Sequence, residues 1–544
     1  MARSRRTFLQ QAASCGILWS TRSAFSLQMD HMVMAQNTVG AEPPAPHRPK
    51  MLHSLELEPF VDALPLPPRA QAQKSSQKLR IVMREIHAKV HRDVPPTRMW
   101  SYGDTALAPM IEARAHHPLQ IEWVNSLPGN HFLPIDHSLH GCGRDVPDVR
   151  AIAHMHGAKV LPKDDGHPED WFVPGKSLTC HYPLQQDATA LWYHDHAMGL
   201  NRLNVYAGLF GMMLIRDEAE DALRLPSGPY EIPLMLYDRD FTADGQLFYP
   251  DSGDPEHPWM PEFYADAILV NGKIRPYLEV EPRMYRFRVV NVANSRFFQL
   301  SLAGPKAGPG IADPLPFHQI GTDQGLLARP VEMKSSLLAP AERADLLIDF
   351  SHAAGEKLHL RNGGLEILEF RVAGQARGSA AYSIPSKLRT IDPPVETTAI
   401  RTRTLTLGEK HDHMGNPMLM LIDGKHWHEP VTEKPRLNTT EIWEFVNLTE
   451  DTHPMHLHLV RFRILDRRLF DVYKFQMRQG MHYIAPATAP EAHESGWKDV
   501  VQCSPGIVTR ILVTFEGYTG NYLYHCHVLE HEANDMMRPF EVIA

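Results

Sequence analysis

YRFRVVN, residues 285–291, alternates Tyr285, Phe287 and Val289 with Arg286 and Arg288 before closing on Val290-Asn291. In an extended chain successive side chains point to opposite faces, so this period of two reads as a strand with one side buried. The same ending recurs in LQIEWVN (119–125) and EIWEFVN (441–447). The three Val-Asn pairs stand 166 and 156 residues apart, which implies one structural unit used three times. LLIDF (346–350) and YAGLFGMMLI (206–215) also read as strands, and few stretches carry a helical stripe. With 45 Pro and 34 Gly spread along the chain as turn formers, the expectation is an all-β protein of three β-sandwich domains.

At 544 residues the chain is long enough for about three or four domains. RDEAEDALRLPSGP (216–229) reads as a first linker and residues 374–398 as a second, which sets domains at 36–217, 229–373 and 399–544. Residues 36–60 carry five prolines and are expected to lie as an extended arm over the first domain.

Lys+Arg 55 against Asp+Glu 64 gives a formal charge of -9, which argues against a nucleic-acid binder that works by neutralising phosphates. No stretch approaches transmembrane length. At the N-terminus, Arg5-Arg6 followed by Phe8-Leu9 and a short, weakly apolar run reads as a twin-arginine export signal over residues 1–35, with Val33-Met34-Ala35 as a cleavage site; the plainer reading is a basic tail before a first helix. Export would place the protein in the periplasm or outside the cell. Of five cysteines, Cys15 falls in that signal. Cys142, Cys180, Cys503 and Cys526 allow three full pairings, among which spacing does not choose.

Histidine is the outlier, at 32 copies. Chance alone yields about two His-x-His pairs at that frequency. Four stand in strand-like contexts: His154/His156, His194/His196, His456/His458 and His525/His527. Residues i and i+2 of a strand share a face, so each pair aims two imidazoles at one place. Two pairs lie early and two late. Domains one and three facing each other would bring eight imidazoles into the cleft between them, enough for three copper ions. A fifth pair, His411/His413, sits in a polar loop and is assigned no role.

Eight imidazoles do not name a metal, but Cys526 does. Between His525 and His527 it must face the other way, into the third domain, where His531, Met536 and His453 complete a His2Cys set with a weak axial methionine. That set is the signature of a blue-copper electron-transfer site, whereas zinc favours a closed tetrahedral set.

HMHG, WYHDH, HPMHLHL and HCHVLEHEANDMMRP resemble the four copper-binding motifs of multicopper oxidases, within the bacterial branch of the endospore-coat laccase and the bilirubin oxidases. The likeness runs over nearly the whole chain, through FVDALPLP, HRDVPPTRMW, HFLPIDH, ILVNGKIRPYLEVEPRMYRFRVVN and LAPAERADLLIDF. It implies cupredoxin-like Greek-key sandwiches and four coppers per chain. By motif position, His453, Cys526, His531 and Met536 would hold the type 1 copper, and His154 and His456 the type 2 copper. His156, His194, His196, His458, His525 and His527 would hold the type 3 pair. A small reducing donor, phenolic or similar, would give electrons at the exposed imidazole edge of His531, and Cys526 would pass them toward dioxygen, which is reduced to water. Glu532 and Asp165 match acids that supply protons in the family; solvated loop charge or support of the ligand histidines is the competing role. A monomer is expected.

Bilirubin-oxidase-type or cuprous-ion oxidation is the alternative activity, although only Met414, Met418 and Met420 suggest a methionine-rich approach to the type 1 site. A copper nitrite reductase would not need eight cluster histidines, and a non-enzymatic relative would have lost ligands that are all present here. Where the endospore-coat relative has a cysteine before ILVNGK this chain has Tyr264, so that relative's disulfide does not carry over.

Overall fold

The computed structural model describes residues 49–71, 78–254, 257–304, 314–378 and 382–544. The signal expected over residues 1–35 lies outside them. Strands dominate. They assemble into six sheets, and each consecutive stretch of chain, 69–216, 231–372 and 399–542, supplies two. No helix among the described residues is long and apolar enough to cross a membrane.

The Val-Asn repeat occupies the same place in each pair of sheets. Leu119–Asn125 runs parallel to Lys78–Ala88, Met284–Asn291 parallel to Glu231–Phe241, and Thr439–Asn447 parallel to Ala399–His411. Asn125, Asn291 and Asn447 are each fully buried. Each accepts a hydrogen bond at Oδ1 from the backbone N–H two residues on, at 3.1, 3.0 and 2.9 Å, and donates through Nδ2 to backbone carbonyls. A short amide side chain that bonds its own backbone ends a strand in a tight turn while satisfying buried carbonyls. The repeat therefore marks the end of one inner strand in each sandwich.

Several local expectations change. Met284–Asn291 is buried on both faces. Arg286 and Arg288 are covered by acids: Arg286 binds Asp345 at 2.6 Å, and Arg288 binds Glu231 at 2.8 Å and Asp345 at 2.9 Å. Glu220 joins both arginines from the first linker, which is no loose tether but carries a helix, Glu218–Ala222, capped by the Asp217 carboxylate. YAGLFGMMLI is strand only from Phe210; its first residues end the helix Asn201–Ala207, and Gly208, at φ +124°, makes the turn that few other residues tolerate. The described part of the arm, expected over the first domain, bonds the second pair of sheets instead, with Leu52 N–H donating to Phe241 O and Phe60 N–H to Arg275 O. Cys142, Cys180, Cys503 and Cys526 are all buried free thiols.

Strand register sets the site. His154 and His194 are direct partners on neighbouring antiparallel strands, as are His456 and His525, while Met455 faces Cys526 and His453 faces Cys503.

Candidate metal centres

Cys526 closes the strand Gly520–Cys526, and the chain then turns into the short helix Leu529–Glu532, which returns His531 to the sulfur. Cys526 Sγ lies 3.6 Å from His453 Nδ1 and 3.6 Å from His531 Nδ1, and those two nitrogens are 3.2 Å apart. All three residues and Met536 are fully buried, and Cys526 N–H bonds Met536 O at 3.0 Å. Burial pushes the Cys526 thiol up while His531 pulls against it. A bound cation would make the thiolate the stable form, so the set fits a soft metal ion.

Two residues around this triad carry no sequence signal. Thr449 Oγ1 lies 2.7 Å from His453 Nε2, and is itself held by Asn447 Oδ1 at 2.9 Å. Glu262 Oε1 lies 3.4 Å from His531 Nε2. The expected exposed edge of His531 is thereby corrected: the ring has no accessible surface, and the partly exposed Glu262 carboxylate stands over its outer nitrogen.

The eight paired histidines come together as expected, each at most 1% exposed. His154, His156 and His194 form one set whose ligand atoms lie within 4.8 Å of one another; His154, His456 and His458 form a second, and His196, His458 and His525 a third. His527 joins through rings 5.0 Å from His156 and 5.2 Å from His194. Backbone carbonyls fix several tautomers. His154 Nδ1 donates to Asp165 O at 2.5 Å, His194 Nδ1 to Asp195 O at 2.9 Å and His456 Nδ1 to Asp499 O at 2.7 Å. In each of these rings the inward nitrogen, Nε2, has no hydrogen-bond partner, nor does either nitrogen of His527. Buried nitrogens are rarely left so, and outer-atom hydrogen bonds with bare inner lone pairs are what metal-ligating imidazoles show. Burial pushes His154 down to about 3 and His194, His456 and His527 well below the usual imidazole range. The residues present therefore fit metal.

Both acids singled out in the sequence touch this nest. Asp165 Oδ2 accepts from His458 Nδ1 at 2.7 Å, and burial pushes its carboxyl well up. Glu532 Oε1 accepts from Asn201 Nδ2 at 2.6 Å and lies 3.3 Å from His196 Nε2; its Oε2 lies 3.2 Å from His525 Nδ1. Asp499, missed in the sequence, stands 3.2 Å from His156 Nε2, with Arg343 bound across both its oxygens at 2.6 and 2.5 Å. Asp195, between two ligand-type histidines, did carry a signal; it accepts from Ile152 and Ala197 N–H groups and its carboxyl is pushed up to about 7 by burial. His411 and His413 are on the surface and Met414 is exposed, while Met420 is buried.

The multicopper oxidase family models match residues 147–220 and 396–544, the stretches that carry the two nests. Over 519 aligned residues the chain is 43% identical to a laccase of Bacillus stratosphericus, covering 90% of this chain and 100% of the relative, and 44% identical to a laccase of Bacillus subtilis (strain 168), covering 90% and 99%. The McoA multicopper oxidase of the hyperthermophile Aquifex aeolicus superposes with a TM-score of 0.73 at 29% identity, over 89% of this chain and 99% of that one. With identity of that order along nearly its full length, and with both nests intact, this chain belongs to the multicopper oxidases.

Proposed function

We propose that the protein is a laccase-like oxidase in which small reducing donors, phenolic or similar, give up single electrons and dioxygen is reduced to water. The observation that carries this reading is one strand serving two centres: Cys526 turns into the His453/His531 triad while its covalent neighbours His525 and His527 turn into the eight-histidine nest. His453, Cys526, His531 and Met536 would hold the type 1 copper, and His154 and His456 the type 2 copper. The type 3 pair would take His156, His194, His196, His458, His525 and His527. Copper supplies one-electron oxidation at the first centre and four-electron reduction of dioxygen at the second.

The chain's own groups do the rest. Carbonyls of residues 165, 195 and 499 orient the imidazoles. Asp165 and Glu532 would hand protons to the nest: each lies within hydrogen-bonding reach of cluster imidazoles, and among the described residues neither is paired with an arginine or lysine. Segments 36–217, 229–373 and 399–544 are proposed as the domains, and twin-arginine export to the periplasm or beyond, as a monomer, as the setting.

Oxygen uptake with a panel of phenols, aromatic amines, bilirubin and cuprous ion tests the activity. Expected are four donor electrons per dioxygen and no accumulated peroxide, with phenols among the good donors. Efficient turnover of cuprous ion alone would remove the laccase reading.

A further inference from the structure

Outside both nests, a third group of histidines gathers where residues 137–142 of the first pair of sheets meet the third. Asp535 accepts a hydrogen bond from His140 Nδ1 at 2.8 Å on one oxygen and from His426 Nδ1 at 2.8 Å on the other. A carboxylate can only accept, so each Nδ1 carries a proton, and in the neutral ring Nε2 keeps its lone pair. His140 Nε2 in turn points at His428 Nε2, 2.8 Å away, with the rings tilted at 51°. His428 is exposed and His140 partly so, which leaves the pair open to solvent.

Carboxylate-held imidazoles with a bare outer nitrogen are how proteins orient metal ligands. Among the described residues three other pairs bring ring nitrogens within 3.5 Å, His458/His525 at 3.1 Å, His453/His531 at 3.2 Å and His196/His525 at 3.4 Å, and all three lie in the histidine nests. The separation also selects a geometry. With metal–nitrogen bonds of about 2.05 Å, two donors 2.8 Å apart subtend an angle of about 90°, whereas a tetrahedral site needs about 3.3 Å. Right-angled imidazole pairs suit tetragonal cupric ion better than zinc.

We infer that His140 and His428 form a separate, solvent-facing site that binds one cupric ion through two cis imidazole nitrogens. Water would complete the coordination, and Asp535 fixes the His140 ring. The two ligands come from distant parts of the chain, 288 residues apart, so a bound ion also clamps the junction between them.

The test uses copper-loaded enzyme freed of loosely held metal and titrated with Cu(II) by calorimetry and electron paramagnetic resonance. The parent protein should take up one ion more than His428→Ala, with hyperfine structure from two nitrogens. That ion's affinity should fall at least tenfold in the variant. Added Cu(II) should also raise Tm in the parent and not in His428→Ala. Folding of the variant is checked by its four resident coppers and blue absorption; His428→Gln, which keeps a polar side chain of similar reach, replaces it where Ala fails that check. Equal uptake by parent and variant, or none by the parent, overturns the proposal: the two rings then merely share a proton.

Discussion

Glu262 stands over His531 on the side opposite the Cys526 sulfur, its Oε1 3.4 Å from the ring's Nε2. A donor approaching the proposed type 1 site over His531 would meet a carboxylate before it meets the imidazole. Glu262→Gln should therefore lower kcat/KM for cationic donors about fivefold, an effect of about 1 kcal/mol for a partly solvated charge pair, and raise it for anionic ones. The gap should close with added salt, because a partly exposed charge is screened. Steady-state kinetics at two ionic strengths checks this; equal changes for donors of both signs contradict it.

Glu532 bonds Asn201 and reaches His196 and His525. Glu532→Gln keeps the shape and the Asn201 contact but not the acid. We expect the blue absorption to remain while oxygen uptake falls by roughly 100-fold, the usual scale of a lost general acid. Unchanged turnover in the variant would assign Glu532 to support alone.

Asn447 connects the fold signature to the His453/Cys526/His531 triad, since its Oδ1 holds Thr449, which in turn holds His453. Its Nδ2 also satisfies the carbonyls of Asp451 and Cys503. Asn447→Ala leaves these buried groups unmatched, at a cost of about 3 kcal/mol, and frees the His453 ring. A lower denaturation midpoint together with faster loss of type 1 copper to a chelator is expected; loss of stability with unaltered copper retention would separate the two roles.

The buried Arg286/Arg288 cluster ties the first linker to the second pair of sheets. Burial pushes the Glu231 carboxyl up, but Arg288, Arg216 and Arg286 outweigh it and hold the group well below the usual carboxylate range. A depressed folded-state value contributes stability above the unfolded value of about 4.3, and that contribution fades as pH falls below it. Glu231→Gln should cost about 3–5 kcal/mol at neutral pH, as expected for breaking a buried ion pair, and the difference from the parent should shrink toward pH 3. Urea titrations at several pH values measure it; a gap that widens in acid contradicts the sign.

Much of this was legible in the sequence because strand alternation and metal chemistry both act at short spacing. Three Val-Asn endings located three sandwiches, and i, i+2 histidines with a reversed cysteine between them located two nests. What stayed hidden depends on contacts across long stretches of chain. The two faces of Met284–Asn291 look alternately wet and dry until Glu220, Glu231 and Asp345 arrive to cover the arginines. Asp499 and Glu262 are single acids in unremarkable segments, and only tertiary packing sets them beside His156 and His531. YAGLFGMMLI misled because apolar residues without a clear period suit helix and strand alike.

Metal analysis of the purified, copper-loaded parent beside Cys526→Ser tests the central claim most directly. A thiolate that belongs to one centre, on a strand whose imidazoles belong to another, predicts four coppers per chain and a blue protein in the parent, against three coppers and no blue band in the variant. Equal copper content in the two proteins, or a colourless parent, would contradict it.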